Sequence, residues 1–308
     1  MRLARVLFPV VVAGVVSVPL SARQRDFSAV EIETQRVAEG VYMLTGSGGN
    51  IGLSIGEDGP FVIDDQFAPL TEKIQAAIAE LTSGVVRFVL NTHWHGDHTG
   101  GNENFGKAGA MIVAHENVRK RMNPEEFREV MGNTNQAPPD ALPVVTFTDA
   151  VNLYWNGDNI RVFHVDPAHT DGDAIVYFTN ANTFHMGDTF FQGRYPFIDV
   201  NSGGHVDGVI AAADRVLSMV DSNSKIIPGH GALSGPDDLR DYRNMLITVR
   251  DRIRVMVNEG LTADQIVAAT PTADLDDTWG SSPDRFVRNV ALSLGAQEAP
   301  GPTIPGIQ

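Results

Sequence analysis

Directly after the apolar run Val85-Val86-Arg87-Phe88-Val89-Leu90, three imidazoles and a carboxylate fall within six residues, His93-Trp94-His95-Gly96-Asp97-His98. Burying such groups together is costly unless something coordinates and neutralises them. The chain therefore has to fold so that a loop leaving a buried strand opens into a site that can hold metal. In near-strand geometry His93 and His95 point to one side. A turn at Gly96 re-aims Asp97 and His98 toward a second point, so one loop can serve two ions. The chain has no cysteine, which excludes disulfide scaffolds, thiolate metal sites, iron–sulfur clusters and cysteine nucleophiles. Histidine and carboxylate are left as the ligands.

With 308 residues, 43% of them hydrophobic and 20% charged, the chain can bury the core of one large α/β domain, and no repeat of domain-building period is present. A formal net charge of −15 repels phosphate backbones, so nucleic acid is excluded as a partner and a small-molecule substrate is expected. At the amino terminus Arg2 and Arg5 precede the apolar stretch Leu7 to Val16, and Ser21 and Ala22 precede the polar Arg23-Gln24-Arg25-Asp26. This pattern reads as a secretory signal peptide over residues 1–22, which places the mature chain in the periplasm or outside the cell. No segment reaches about 18 unbroken apolar residues, so no stable membrane association is expected once that segment is cleaved. Residues 23–298 read as the folded domain, and the Pro/Gly-rich stretch 299–308 as a flexible tail.

Within the domain, Val41–Leu44, Ile51–Ile55 and Phe61–Ile63 are strand-like runs separated by Gly and Asp turns, and Gly46-Ser47-Gly48-Gly49-Asn50 reads as one of those turns. Leu70 to Leu81 has the helical period, and Val85–Leu90 is a buried strand. Residues His115 to Met131 are charged and helical, and Asn133 to Pro143 forms a Pro/Asn-rich loop. A second strand series follows, over Val144–Phe147, Val151–Tyr154, Ile160–Phe163, Ala174–Phe178 and Thr183–Met186. Helices near Val206–Val220, Leu239–Asn258 and Thr262–Ala269 then cover an outer face. The order predicts an α/β sandwich with two central sheets between helices.

His93-Trp94-His95-Gly96-Asp97-His98 resembles the signature loop of the metallo-β-lactamase superfamily. Three later motifs extend the likeness in the same order: Pro167-Ala168-His169-Thr170, Met186-Gly187-Asp188 and Pro228-Gly229-His230-Gly231. The resemblance implies a four-layer αββα sandwich and two metal positions. His93, His95 and His169 would hold the first ion, Asp97, His98 and His230 the second, with Asp188 bridging both. Nitrogen and oxygen ligands fit two Zn²⁺ ions, with Mn²⁺ or Fe²⁺ as substitutes. Two such ions set against two carboxylates and a hydroxide leave a net positive charge. That charge can stabilise an oxyanion, while the water pKa falls toward about 7. The implied reaction is attack of a metal-bound hydroxide on an activated carbonyl, with Asp97 as ligand and proton relay. A β-lactam ring is the first expected substrate. A lactone, thioester or phosphate ester is the alternative, favoured by Asp188 standing where Cys-bearing β-lactamases have a thiolate. A non-catalytic metal-binding envelope protein is the remote alternative.

Several residues carry weaker expectations. Asp64, closing the run Phe61–Ile63, reads either as a partner of a ligand imidazole or as a turn residue. Asn201 falls near the place where the β-lactamase branch carries an asparagine that polarises the substrate carbonyl, and so is a candidate catalytic residue. His205 reads as a substrate contact or a solvated loop residue. Trp94, Phe190, Phe191, Tyr195 and Phe197 offer an apolar substrate wall. His115, His164 and His185 match no ligand position and read as structural.

Overall fold

A computed structural model describes residues 26–123, 137–280 and 282–298. The expected signal peptide and the tail lie outside these residues, as does the end of the helical stretch expected to reach Met131. None of the described helices is long and apolar enough to cross a membrane.

Seven strands pair in sequence order to form the first sheet. These are β1 (Glu33–Ala38), β2 (Val41–Thr45), β3 (Ile51–Ser54), β4 (Phe61–Ile63), β5 (Phe88–Asn91), β6 (Met111–His115) and β7 (Val145–Phe147). The first four run as an antiparallel meander, and β4 to β7 are parallel. Parallel neighbours need crossovers, which are supplied by α1 (Thr71–Leu81), by α2 (Gly96–Thr99) with α3 (Asn102–Lys107), and by α4 (Glu116–Met122). The second sheet contains β8 (Ala150–Trp155), β9 (Asp158–His164), β10 (Ala174–Phe178), β11 (Thr183–His185) and β12 (Lys225–Ile227), in the order β12-β11-β10-β9-β8. Only β11 and β12 are parallel there.

The run Val144–Phe147, expected to open the second strand series, instead ends the first sheet. It pairs parallel with β6, Val113 facing Val145, and this register turns Phe147 into the core between the sheets. The meander then restarts in the second sheet at Ala150.

Alternation along the strands explains why so many of them are apolar without a break. Phe61, Ile63 and Leu90 of the first sheet meet Val162, Val176 and Phe178 of the second in the central core. Their neighbours Val62 and Val89 face the other way, onto Ile74 and Ile78 of α1. On the far side, Ile175, Phe184 and Ile226 pack under α5 (Val206–Leu217), α6 (Pro236–Asn258) and α9 (Pro283–Ser293), the short helices α7 (Ala263–Ala268) and α8 (Asp276–Trp279) coming between the last two in the chain. The layers therefore run helix, sheet, sheet, helix. The carboxyl ends of β4, β5, β9, β11 and β12 open at one rim of the sandwich. A hydrogen bond from Ala174 N to Thr92 O, 2.8 Å long, ties the two sheets together there.

Candidate metal centre

Asp64 fixes the first half of the site. Its backbone continues the β4–β5 pairing through a 2.8 Å bond to Leu90 O, but its φ of 60° turns the side chain across the end of β5. Fully buried, it accepts from Thr92 N at 2.7 Å, Thr92 Oγ1 at 2.8 Å and His98 Nδ1 at 2.7 Å. Thr92 Oγ1 in turn lies 3.1 Å from His93 Nδ1. With Nδ1 engaged in each case, the Nε2 atoms of His93 and His98 are left to face the site. Asp64 is thus a turn residue that also orients two imidazoles of the cluster, His98 directly and His93 through Thr92.

After His95 the chain makes the single helical turn α2, with His98 N and Thr99 N donating to His95 O at 3.0 and 3.1 Å. This turn separates two groups of side chains. His93, His95, His169 and Asp188 form one, Asp97, His98 and His230 the other, and within each group the potential ligand atoms lie within 4.8 Å of one another. Asp188 stands between them: Oδ1 is 3.1 Å from His98 Nε2, and Oδ2 is 3.4 Å from His230 Nε2 and 3.5 Å from His169 Nε2. The chain thus places the seven side chains as two sets of three with a carboxylate in common.

The short loop at residues 46–50, expected to be a turn, is a clamp between the two halves. Gly49 N donates to Asp97 O at 3.0 Å, and Asn50 N donates to Gly229 O at 2.7 Å. The Asn50 amide also donates to Pro228 O and Gly231 O, both at 2.9 Å. Gly49 packs so tightly that a Cβ there would sit 2.1 Å from His98 Cε1. At Gly229 a Cβ would lie 2.1 Å from Asp188 Oδ1.

The electrostatics suit a cation. Burial pushes the His93 imidazole well below its ordinary pKa and lowers His169 to about 4, so both are neutral lone-pair donors near neutral pH. Burial would raise Asp188, but the imidazoles of His230, His98, His93 and His169 hold it well below the usual carboxylate range. His98 is disfavoured as a cation by burial, yet Asp188 and Asp64 outweigh that and raise it. His93 Nε2 is buried without a hydrogen-bond partner among the described residues, and His98 Nε2 and Asp188 Oδ1 have only each other, at 3.1 Å. His95 Nδ1 and His169 Nε2 face each other at 2.8 Å, while the opposite ring nitrogens are taken by Asp199 and Phe197 O. Orphaned buried atoms and converging ring nitrogens are what a site shaped for metal presents. A set of nitrogen and oxygen donors fits zinc.

Other expected residues fall outside this shell. Asn201 is exposed in its loop, and Asp199, two residues earlier, is the member of that loop that reaches His95. His205 caps α5 by accepting from Asp207 N at 3.0 Å. Phe191 stacks on His230 and Phe197 on His95, so these two flank the site. Phe190 is fully buried in the core and Tyr195 stacks on Phe286, whereas the Trp94 ring lies 5.1 Å from that of His95 and also packs against the cluster around Val118 and Met122. His115 and His164 stack with centroids 3.8 Å apart, and His185 bridges Asn50 O and Gly187 N. Asp199 and the clamp at Gly49 and Asn50 carry no local sequence signal, because their partners are distant in sequence.

The sequence model of the Metallo-beta-lactamase superfamily matches residues 44–232. A hydroxyacylglutathione hydrolase of Nitrosococcus oceani is 25% identical over 164 residues, 53% of this chain and 55% of the relative. The chain thus spans about half the length of that relative, and 37% of a second one, from Pelagibacter ubique. A metallo-beta-lactamase type 2 of Bacteroides fragilis is 22% identical, covering 76% of this chain and 90% of its own. Among solved structures, the DIM-1 metallo-beta-lactamase superposes with a TM-score of 0.59 at 19% identity, over 71% of this chain and 99% of its own.

Proposed function

This chain belongs to the metallo-beta-lactamase superfamily, and from that premise we propose that it is an exported dinuclear zinc hydrolase that opens an activated acyl group, in an ester, thioester or lactone. The observation that carries this reading is Asp188. It is a carboxylate shared between two ligand sets in a chain with no cysteine to supply a thiolate. The amino-terminal pattern supports export, which favours esters and lactones over glutathione thioesters.

Bound zinc would supply Lewis acidity and an acidic water. The protein supplies placement. Asp97 has a side chain 29% exposed and stands at the mouth, with Oδ2 3.5 Å from His230 Nε2. From there its carboxylate can hold the attacking water and carry a proton to the leaving group. The Phe191 and Phe197 rings flank His230 and His95, which keeps bulk water from the reacting carbonyl and gives an apolar acyl chain a surface to lie on.

A second reading, β-lactam opening, is supported by the Bacteroides fragilis relative, which aligns over 90% of its own length. Turnover by purified zinc-loaded protein decides between them, with an acyl-homoserine lactone, a hydroxyacylglutathione thioester and a carbapenem assayed beside chelated controls. Metal-dependent lactone or thioester hydrolysis exceeding carbapenem hydrolysis is expected. The reverse order transfers the assignment to β-lactams, and no turnover on any of the three refutes the acyl-hydrolase reading.

A further inference from the structure

One short stretch of chain orients two of the three first-position imidazoles. His169 Nδ1 donates to Phe197 O at 2.6 Å, and Asp199 N donates to His169 O at 2.9 Å. Two residues on, the Asp199 carboxylate turns to the other ligand, its Oδ2 lying 2.9 Å from His95 Nε2. Oδ2 also accepts from Ser202 Oγ at 2.6 Å, which ties the carboxylate to its own loop. The loop is pinned from outside: Asp171 N donates to Ser202 O at 2.9 Å, and the Arg285 guanidinium of α9 lies 3.8 Å over the Phe197 ring.

We infer that Asp199 is the positioning residue that sets the metal affinity of the first position, by holding His95 with its Nδ1 lone pair turned inward. The inference rests on reading the site as a metal centre. Of the first-position imidazoles, His93 presents Nε2 because Thr92 Oγ1 lies against its Nδ1, and His169 presents Nε2 because Phe197 O takes its Nδ1–H. His95 is placed the other way round. For Nδ1, which faces His169 Nε2 at 2.8 Å, to offer its lone pair to a metal, Nε2 must carry the proton, and Asp199 is the acceptor that keeps it there. Without that acceptor the ring is free to take the opposite tautomer, with the proton on the nitrogen that faces the metal position. The second position has no such dependence, because His98 is anchored by Asp64 in the buried interior.

The geometry also separates two substitutions. In Asp199→Asn the side-chain oxygen can still face His95 and Ser202. The amide nitrogen then replaces an oxygen whose hydrogen bond is the long 3.3 Å one from Ser202 N. Asp199→Ala leaves His95 Nε2 with no acceptor.

The test titrates zinc into metal-free full-length protein against a chromophoric chelator, with histidine tautomers read from long-range proton–nitrogen spectra. Wild type is expected to bind both ions, with His95 protonated at Nε2. Asp199→Ala is expected to weaken one ion roughly 10–100-fold, to leave the other unchanged and to lose the Nε2–H signature. Asp199→Asn should lie closer to wild type than to Asp199→Ala. If Asp199→Ala does not fold, Ser202→Ala, which removes only the 2.6 Å bond to Oδ2, should weaken the same ion to a smaller extent. Wild-type affinity for both ions in Asp199→Ala, or in Ser202→Ala where that variant stands in, overturns the inference. So does equal weakening of both ions, or Asp199→Asn failing as fully as Asp199→Ala. A wild-type protein that binds no zinc refutes the metal-centre reading itself, and the inference with it.

Discussion

Replacing Asp64 by asparagine tests the reasoning about the site most sharply, because the change keeps the shape and alters only which atoms accept. Asp64 Oδ1 takes Thr92 N, and Oδ2 takes both Thr92 Oγ1 and His98 Nδ1. An asparagine can satisfy one side only. If its oxygen faces Thr92 N, its NH₂ points at two donors, and the way to relieve His98 is to move the imidazole proton from Nδ1 to Nε2. That nitrogen faces Asp188 at 3.1 Å and belongs to the second ligand group, so the proton would occupy the metal's place. Each unsatisfied buried donor costs about 1–3 kcal/mol, and loss of such a partner weakens metal binding roughly 10–100-fold. Asp64→Asn is therefore expected to lower the unfolding free energy of metal-free protein by about 1–3 kcal/mol and to lose the second zinc selectively. Urea unfolding and zinc stoichiometry after dialysis measure the two effects. A variant that is within 0.5 kcal/mol of wild type, about the spread of neutral substitutions, and that retains both ions refutes the assignment.

Gly49→Ala should displace His98, since the new Cβ would lie 2.1 Å from its ring; elemental analysis is expected to find one zinc retained, and two retained would show that the clamp yields. In metal-free protein, His169 titrates at about 4 instead of its ordinary 6.5, so the folded state binds fewer protons and stability rises with pH across that window. Asp173, lifted from 3.8 to about 7 by burial, binds more protons when folded, so its contribution falls as pH climbs through that range. Asp173→Asn removes the falling part, and its urea midpoint should climb more steeply with pH than that of wild type; parallel profiles would contradict this. Zinc at about a hundred times its Kd should add about 2.7 kcal/mol, so chelation should lower the Tm by several degrees in calorimetry, and an unchanged Tm would mean that the ion does not bind the folded state preferentially.

Where a signal is local, it was legible. The histidine spacing of the metal loop, Asp64 at a strand end, and the alternation that builds the central core all depend on residues close in sequence. Helix α9, which is not among the expected helices, carries a local signal of the same kind, with Pro283 at its start and Phe286, Val287, Val290 and Ala291 at helical spacing. Strand β1 is polar because it is an exposed edge, and β12 has only three residues, so neither carries a periodic pattern. Val144–Phe147 has the composition of any short strand, and only its pairing with Val113 assigns it to the first sheet. Asp199 and Asn50 lie deeper still. Each acts on a partner more than a hundred residues away in sequence, and nothing in their immediate neighbours distinguishes them from loop polarity.

Each ligand group is divided between the two ends of the chain. His93 and His95 come before the long excursion from β6 to β7, while His169 and Asp188 come after it; Asp97 and His98 are likewise separated from His230. Neither half of the polypeptide owns a complete coordination set. Cleaved within that excursion and separated, the two fragments should each hold zinc no better than an unstructured histidine peptide. Mixed again, they would regain tight binding only by pairing, so that the ions report on the reunion of two pieces as a cross-link would.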